Sequence, residues 1–137
     1  MMLIQDEYRG DPWKIMVCCI LLNQTSNKQV RPLLDTIFSR FPDPESIYDS
    51  DRSEISSMIR STGFQNIKAD RIVKMSLKYC SGFSHPKELP GIGRYGLESW
   101  MIFVDNFVDF LPSDKRLSEY IKFKVYENSN RHHSNQV

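Results

Sequence analysis

Apolar residues along the chain recur at helical spacing, and no stretch alternates apolar and polar positions for long enough to make a strand. Asp11-Pro12 reads as an N-cap followed by proline at the first helical position. The helix after it, Trp13 to Leu22, is apolar almost all round, which predicts a buried central helix. Thr25 or Ser26 caps a second helix with Val30, Leu33, Leu34, Ile37 and Phe38 on its core face, and Pro32 inside that pattern predicts a kink. Phe41-Pro42-Asp43-Pro44 breaks the chain ahead of a short helix around Glu45 to Tyr48. Asp51 followed by Glu54 predicts a capping box, and Gly63 a left-handed helix end.

The next predicted helix, Asn66 to Cys80, is amphipathic. Ala69, Ile72, Val73, Leu77 and Cys80 fall on one face, and Lys68, Arg71, Lys74 and Lys78 on the other, which reads as a solvated stripe. Ser81-Gly82 stops it. Pro86 to Glu88 forms a short helix leading into Leu89-Pro90-Gly91-Ile92-Gly93, and Arg94 to Val104 is helical again. Pro112-Ser113 leads into a last helix, Lys115 to Tyr126, with Leu117, Tyr120, Ile121 and Val125 as its apolar side. These elements predict an all-α fold in one domain over residues 1–127, and a polar, disordered tail over residues 128–137.

Composition narrows the class. The chain has 137 residues, 40% hydrophobic and 26% charged, as a single domain with one core requires. The longest apolar stretch, Ile15 to Leu22, is too short to span a bilayer, so no membrane association is expected. Met1 to Gly10 carries no signal-peptide pattern, which points to an intracellular protein. Three cysteines, Cys18, Cys19 and Cys80, argue against a disulfide framework and exclude a four-cysteine zinc or iron–sulfur site within the chain. The net charge of +1 supports nucleic-acid binding only weakly. Between Arg52 and Lys78, however, six basic residues stand against two acidic ones.

Leu89-Pro90-Gly91-Ile92-Gly93 carries the most chemistry. Two glycines around one aliphatic residue allow a tight turn between helices, and the N–H groups opening the second helix are free to hold a phosphate. With Arg94-Tyr95 after it, the segment resembles the hairpin of helix-hairpin-helix DNA glycosylases. Those proteins place an essential aspartate downstream of the hairpin, where this chain has Asp114 within Pro112-Ser113-Asp114-Lys115-Arg116. Asp11-Pro12-Trp13-Lys14, Leu22-Asn23-Gln24-Thr25-Ser26, Gly63-Phe64 and Lys68-Ala69 extend the likeness. From about Gln5 to Tyr126 the chain resembles the catalytic domain of the methyl-CpG-binding-domain mismatch glycosylases and their plant relatives. These 137 residues show no methyl-CpG-binding domain.

The resemblance implies two helical subdomains flanking a DNA-binding cleft. It also implies a monofunctional enzyme of base excision repair that hydrolyses the N-glycosidic bond of thymine or uracil mispaired with guanine. Asp114 matches the catalytic aspartate, although as a residue alone it reads as an N-cap for the last helix. Tyr95 and Gln5 match base-pocket residues, and tyrosine stands where strand-cutting relatives carry a Schiff-base lysine. Lys115, beside Asp114, is the residue that could still supply such an amine. Gln24 matches the side chain that plugs the duplex after base flipping, and Phe64 the wedge in the opposite strand. Vertebrate relatives carry arginine where Gln24 stands. Gly91, Gly93 and Arg116 match phosphate contacts. The implied partner is double-stranded DNA with G:T or G:U mismatches, met by a nuclear monomer. No cofactor or catalytic metal is implied, and a monovalent cation at the hairpin is expected. A catalytically inactive DNA-binding module and a bifunctional glycosylase/lyase are the alternatives.

Overall fold

The computed structural model describes residues 2–135, with side chains as far as Arg131. Its α-helices are α1 (Pro12–Leu21), α2 (Asn27–Val30), α3 (Leu34–Arg40), α4 (Arg52–Met58), α5 (Gln65–Ser81), α6 (Arg94–Phe103) and α7 (Lys115–Asn135), with short 3-10 turns between several of them. Among the described residues there is no strand, so the fold is all-α as expected.

Helix α1 starts where the Asp11 carboxylate accepts the Lys14 N–H at 3.1 Å, with Pro12 in the first turn. Trp13 and every residue from Ile15 to Leu21 are buried. A helix apolar on all sides is stable in water only if neighbours cover it on several sides. The 3-10 turn Ile4–Tyr8, α5 and α6 do so. Trp13 ties α1 to α5 by donating its indole N–H to the Ser76 hydroxyl at 2.9 Å.

Helix α1 packs against two groups of helices, through α5 in one and through α6 and the N-terminal turn in the other. One holds α2 to α5. The other holds the N-terminal turn, α6 and α7. Asp6 and Arg9 join the ends of this second group: the Tyr120 hydroxyl donates to Asp6 at 2.6 Å and accepts from Arg9 at 2.9 Å. Tyr120 also packs on Phe103, ring centroids 5.1 Å apart. The short N-terminal lead-in is thus anchored by Leu3, Ile4 and Gln5, all buried, and by this polar network.

Ser26, not Thr25, caps α2, in a capping box with Gln29. Pro32 lacks the N–H that would continue the helix, and a 3-10 turn at Arg31–Leu33 separates α2 from α3. The structure corrects five expectations. Glu54 closes no box with Asp51, because both its oxygens bind Arg40, at 2.7 and 3.2 Å. The left-handed residue after α4 is Phe64 (φ 50°, ψ 35°), while Gly63 is extended with positive φ. Lys68 is not on the solvated stripe but buried, in line with Ile72, Met75 and Ser76. Leu77 and Val125 are exposed instead of facing the core. Finally, residues 128–135 continue α7. No glycine or proline follows Lys115 to stop it, and Glu127 pairs with Arg131 one turn on. Residues 136 and 137 of the predicted tail lie outside the described residues.

Candidate active site

The turn before α6 is held from both sides. Leu89 is buried, and Ile92 packs so closely on Gly96 that a β-carbon there would lie 2.7 Å from the Ile92 Cγ2. Gly93 occupies the N-cap of α6 and brings no capping side chain. Among the described residues, the N–H groups of Gly93, Arg94 and Tyr95 have no protein acceptor. Unpaired first-turn amides at the positive end of a helix dipole suit an anionic oxygen.

Asp114 is placed by α6 as well as by α7. The buried Glu98 carboxylate accepts the Ser113 N–H and hydroxyl, both at 3.1 Å, and the Arg94 guanidinium at 3.0 Å. The start of the hairpin helix and the loop before Asp114 are therefore fixed by one carboxylate. Asp114 caps α7, its Oδ2 accepting the Leu117 N–H at 3.0 Å. Among the described residues its Oδ1 has no hydrogen-bond partner, and the side chain lines a cleft. Cap and candidate catalyst are the same residue, with one oxygen for each task.

Tyr95 faces the same cleft from the first turn of α6. Its hydroxyl accepts the Gln5 amide N–H at 2.7 Å. Burial pushes the phenol well above its usual range, and the neighbouring Cys19 and Asp114 add to the effect. The phenol therefore keeps its proton at neutral pH and has it available to donate. Gln5 stands behind Tyr95, buried, with Ser99 Oγ 3.3 Å from the same amide nitrogen, and it does not line the cleft. Cys19 lies at the cleft wall, where burial pushes its thiol up to about 12. A thiol in that state is no nucleophile. Tyr95→Phe would strip the buried Gln5 N–H of its best acceptor. The expected loss is about 1–3 kcal/mol, read as a lower urea midpoint at unchanged m.

The cleft encloses about 1030 Å³ and gathers Gln24, Gly91, Gly93, Tyr95, Asp114 and Arg116 on one surface. Five basic side chains on its wall (Lys28, Arg71, Lys74, Arg94 and Arg116) face two acidic ones, Asp70 and Asp114. An anionic ligand is favoured there although the whole chain is nearly neutral. Gln24 is exposed on the rim with φ 54°. Phe64 stands outside the cleft lining, 57% exposed, with φ 50°. Non-glycine residues held left-handed cost about 1–2 kcal/mol each, and of the three among the described residues, Gln24, Phe64 and Asn106, the first two are residues expected to enter a duplex. Lys115 is exposed and off the cleft wall.

Sequence reasoning missed Glu98, Cys19, Lys28 and the burial of Lys68. A signal existed only for Lys68, whose spacing to Ile72, Met75 and Ser76 is that of one helix face.

Comparison with known proteins bears on the family and the fold. The sequence pattern of the HhH-GPD superfamily base excision DNA repair proteins matches residues 17–127. The chain is 31% identical over 120 residues to a methyl-CpG-binding domain protein 4-like protein of Arabidopsis thaliana, covering 86% of this chain and 27% of that one. It is 31% identical over 94 residues to a thymine/uracil-DNA glycosylase of Pyrobaculum aerophilum, covering 63% and 41%. The chain thus spans less than half the length of these relatives. Its fold is similar to that of a thermostable thymine-DNA glycosylase (TM-score 0.69, 23% identity, 78% of this chain and 52% of that one). It is also similar to that of endonuclease III trapped covalently on DNA (TM-score 0.67, 20% identity, 81% and 60%). With the hairpin, the aspartate and the cleft arranged as described and the family pattern running through most of its length, this chain belongs to the HhH-GPD superfamily of base excision DNA repair proteins.

Proposed function

We propose that this domain is a monofunctional DNA glycosylase that hydrolyses the N-glycosidic bond of thymine or uracil opposite guanine. The observation that carries the reading is the unpartnered Asp114 oxygen sharing one basic cleft with Tyr95 and the hairpin amides. Duplex DNA lies across the cleft, with a backbone phosphate on the first-turn amides of α6 and a second near Arg116. The target nucleotide leaves the stack and enters beside Tyr95, whose protonated hydroxyl donates to a pyrimidine carbonyl. Gln24 takes the vacated place. As the bond from C1′ to the base nitrogen breaks, its electron pair leaves with the base and positive charge grows on the sugar. The Asp114 carboxylate stabilises that charge. Water adds to C1′, Asp114 accepts its proton, and an abasic site remains.

Tyrosine at position 95 and the outward position of Lys115 support hydrolysis over Schiff-base chemistry. The thymine and uracil named for the archaeal relative support the substrate. The cleft is complete within one chain, which suits a monomer, and no described helix is long and apolar enough to cross a membrane. Among the described residues nothing donates to the carbonyls of Pro90, Gly91 and Ile92. Neutral oxygens of this kind suit a monovalent cation, which would brace the hairpin. No three acidic, histidine or cysteine side chains among the described residues gather to hold a metal.

Base release from duplexes carrying G:T, G:U, A:T or A:U tests the reading, each read before and after hot alkali. Strand breaks at G:T and G:U that need alkali are the expected result. Breaks without alkali would establish a lyase, and intact bases on tightly bound DNA would leave only a binding module.

A further inference from the structure

The glycosylase mechanism makes no use of Lys68, yet this side chain is one of the most deeply buried in the molecule, 1% exposed. It stands in the first turn of α5, and its ammonium donates to three oxygens: Leu21 O at 2.9 Å, Thr25 Oγ1 at 2.6 Å and Thr62 O at 3.1 Å. An ammonium has three N–H groups, so each finds an acceptor. None of these acceptors is a carboxylate. Burial consequently lowers the Lys68 pKa, with no counter-charge to offset it. A methionine would fill the same space without that penalty, so packing alone does not account for a cation.

Two of the acceptors belong to loops that hold left-handed residues, and the third, Leu21 O, is the last carbonyl of α1. Thr25 follows Gln24, and Thr62 precedes Gly63-Phe64. The Thr25 hydroxyl also reaches the Thr62 carbonyl at 2.9 Å. Backbone strain persists only where the surroundings over-determine it. In both loops the same ammonium is one such restraint, beside the bonds from Thr25 N–H to Leu22 O (3.1 Å) and from Thr62 N–H to Ile59 O (3.0 Å).

We propose that Lys68 is a positioning residue, a clamp that holds the Gln24 loop and the Phe64 loop at one fixed spacing so that both side chains meet a duplex together. The proposal rests on the glycosylase reading and extends it to the coupling of the two DNA-entering loops. It assigns Lys68 no contact with the reacting atoms. Without the clamp the phosphate grip of α6 is untouched, while the flipped state loses its joint support.

The test uses Lys68→Met and Thr25→Val, the second removing only the hydroxyl through which the loops and the ammonium meet. Each is combined with Asp114→Asn and bound to a G:T duplex carrying 2-aminopurine beside the thymine, whose fluorescence rises when its neighbour leaves the stack. Each is also assayed with Asp114 intact for single-turnover base release, scaled to the folded fraction from urea melts. Affinity within about threefold of the parent is expected, because phosphate contacts dominate it. The fluorescence rise should be largely lost, and the release rate should drop on the order of 10- to 100-fold. The double variant should be no slower than Lys68→Met alone. Release and fluorescence equal to wild type, per folded molecule, would overturn the clamp and leave Lys68 a stabilising residue only. Should Lys68→Met not fold, Thr25→Val decides by the same two readings. A wild-type chain that neither flips nor releases a base defeats the glycosylase reading itself, and the two failures are therefore distinct.

Discussion

Asp114→Asn is expected to abolish base release, by on the order of 10³-fold or more, while leaving fold and DNA affinity in place. The residue has two tasks that this substitution separates. Its Oδ2 caps α7 through the Leu117 N–H at 3.0 Å, and asparagine caps a helix about as well as aspartate. The change in stability should stay within about 0.5 kcal/mol. What disappears is the negative charge on the second oxygen, and with it both the stabilisation of the sugar cation and the proton acceptor for water. DNA affinity should hold or rise slightly, since one negative charge has left the cleft. Asp114→Ala gives the contrast: it removes the cap as well, at about 1 kcal/mol, and is equally inactive. Single-turnover release and thermal melting of both variants are sufficient. An asparagine variant that keeps a tenth of the wild-type rate would reduce Asp114 to a cap.

Much of the fold is legible because it follows from local chemistry. Asp11-Pro12 can hardly be anything but a helix start, and the unbroken apolar run after it must be enclosed. Pro32 removes one N–H, and the helix breaks there into α2 and α3. The misreadings are of two kinds. Glu54 has the spacing for a capping box, but Arg40 from another helix competes for it and wins. Charge alone puts Lys68 on the stripe with Arg71, Lys74 and Lys78, whereas its register puts it with Ile72. Charge is a guide to exposure only while no set of oxygens waits inside, and two of these three, on Leu21 and Thr25, come from residues distant in sequence.

The site divides along the same line. Asp114, Tyr95 and the hairpin glycines are readable because their motifs are local and family resemblance orders them. The structure brings them together with Gln24 and Arg116. That Gln5 sits behind Tyr95 is a tertiary fact, produced by α6 crossing the N-terminal turn. Glu98 leaves no trace in the sequence. It lies one turn from Arg94, which reads as an ordinary surface pair, and only the chain's return at Ser113 turns it into the brace of the loop before Asp114. Residues that act by contact with a partner distant in sequence cannot be found from spacing alone.

The two hairpin glycines should separate folding from DNA contact. Gly91 has φ +79°, and a β-carbon on it would lie 2.9 Å from the Cβ and 3.0 Å from the Cγ of Arg71. Those atoms sit at the root of a side chain on α5 and cannot swing aside. Gly91→Ala therefore combines a left-handed penalty with overpacking, for a loss of about 2–4 kcal/mol. The melting temperature should drop on the order of 10 °C, with DNA binding lost as the hairpin is displaced. Gly93 has φ −96°, and a β-carbon on it would meet nothing within 4 Å. Gly93→Ala should therefore melt within about 2 °C of wild type. Its new methyl group projects beside the free amides, where a phosphate would approach, so affinity for duplex DNA should fall about tenfold. Filter binding of both variants at fixed salt, beside their melting curves, gives the comparison. Unchanged affinity in Gly93→Ala would mean that the phosphate does not reach the hairpin backbone, and the grip would have to come from Arg116 and the basic wall of α5 instead.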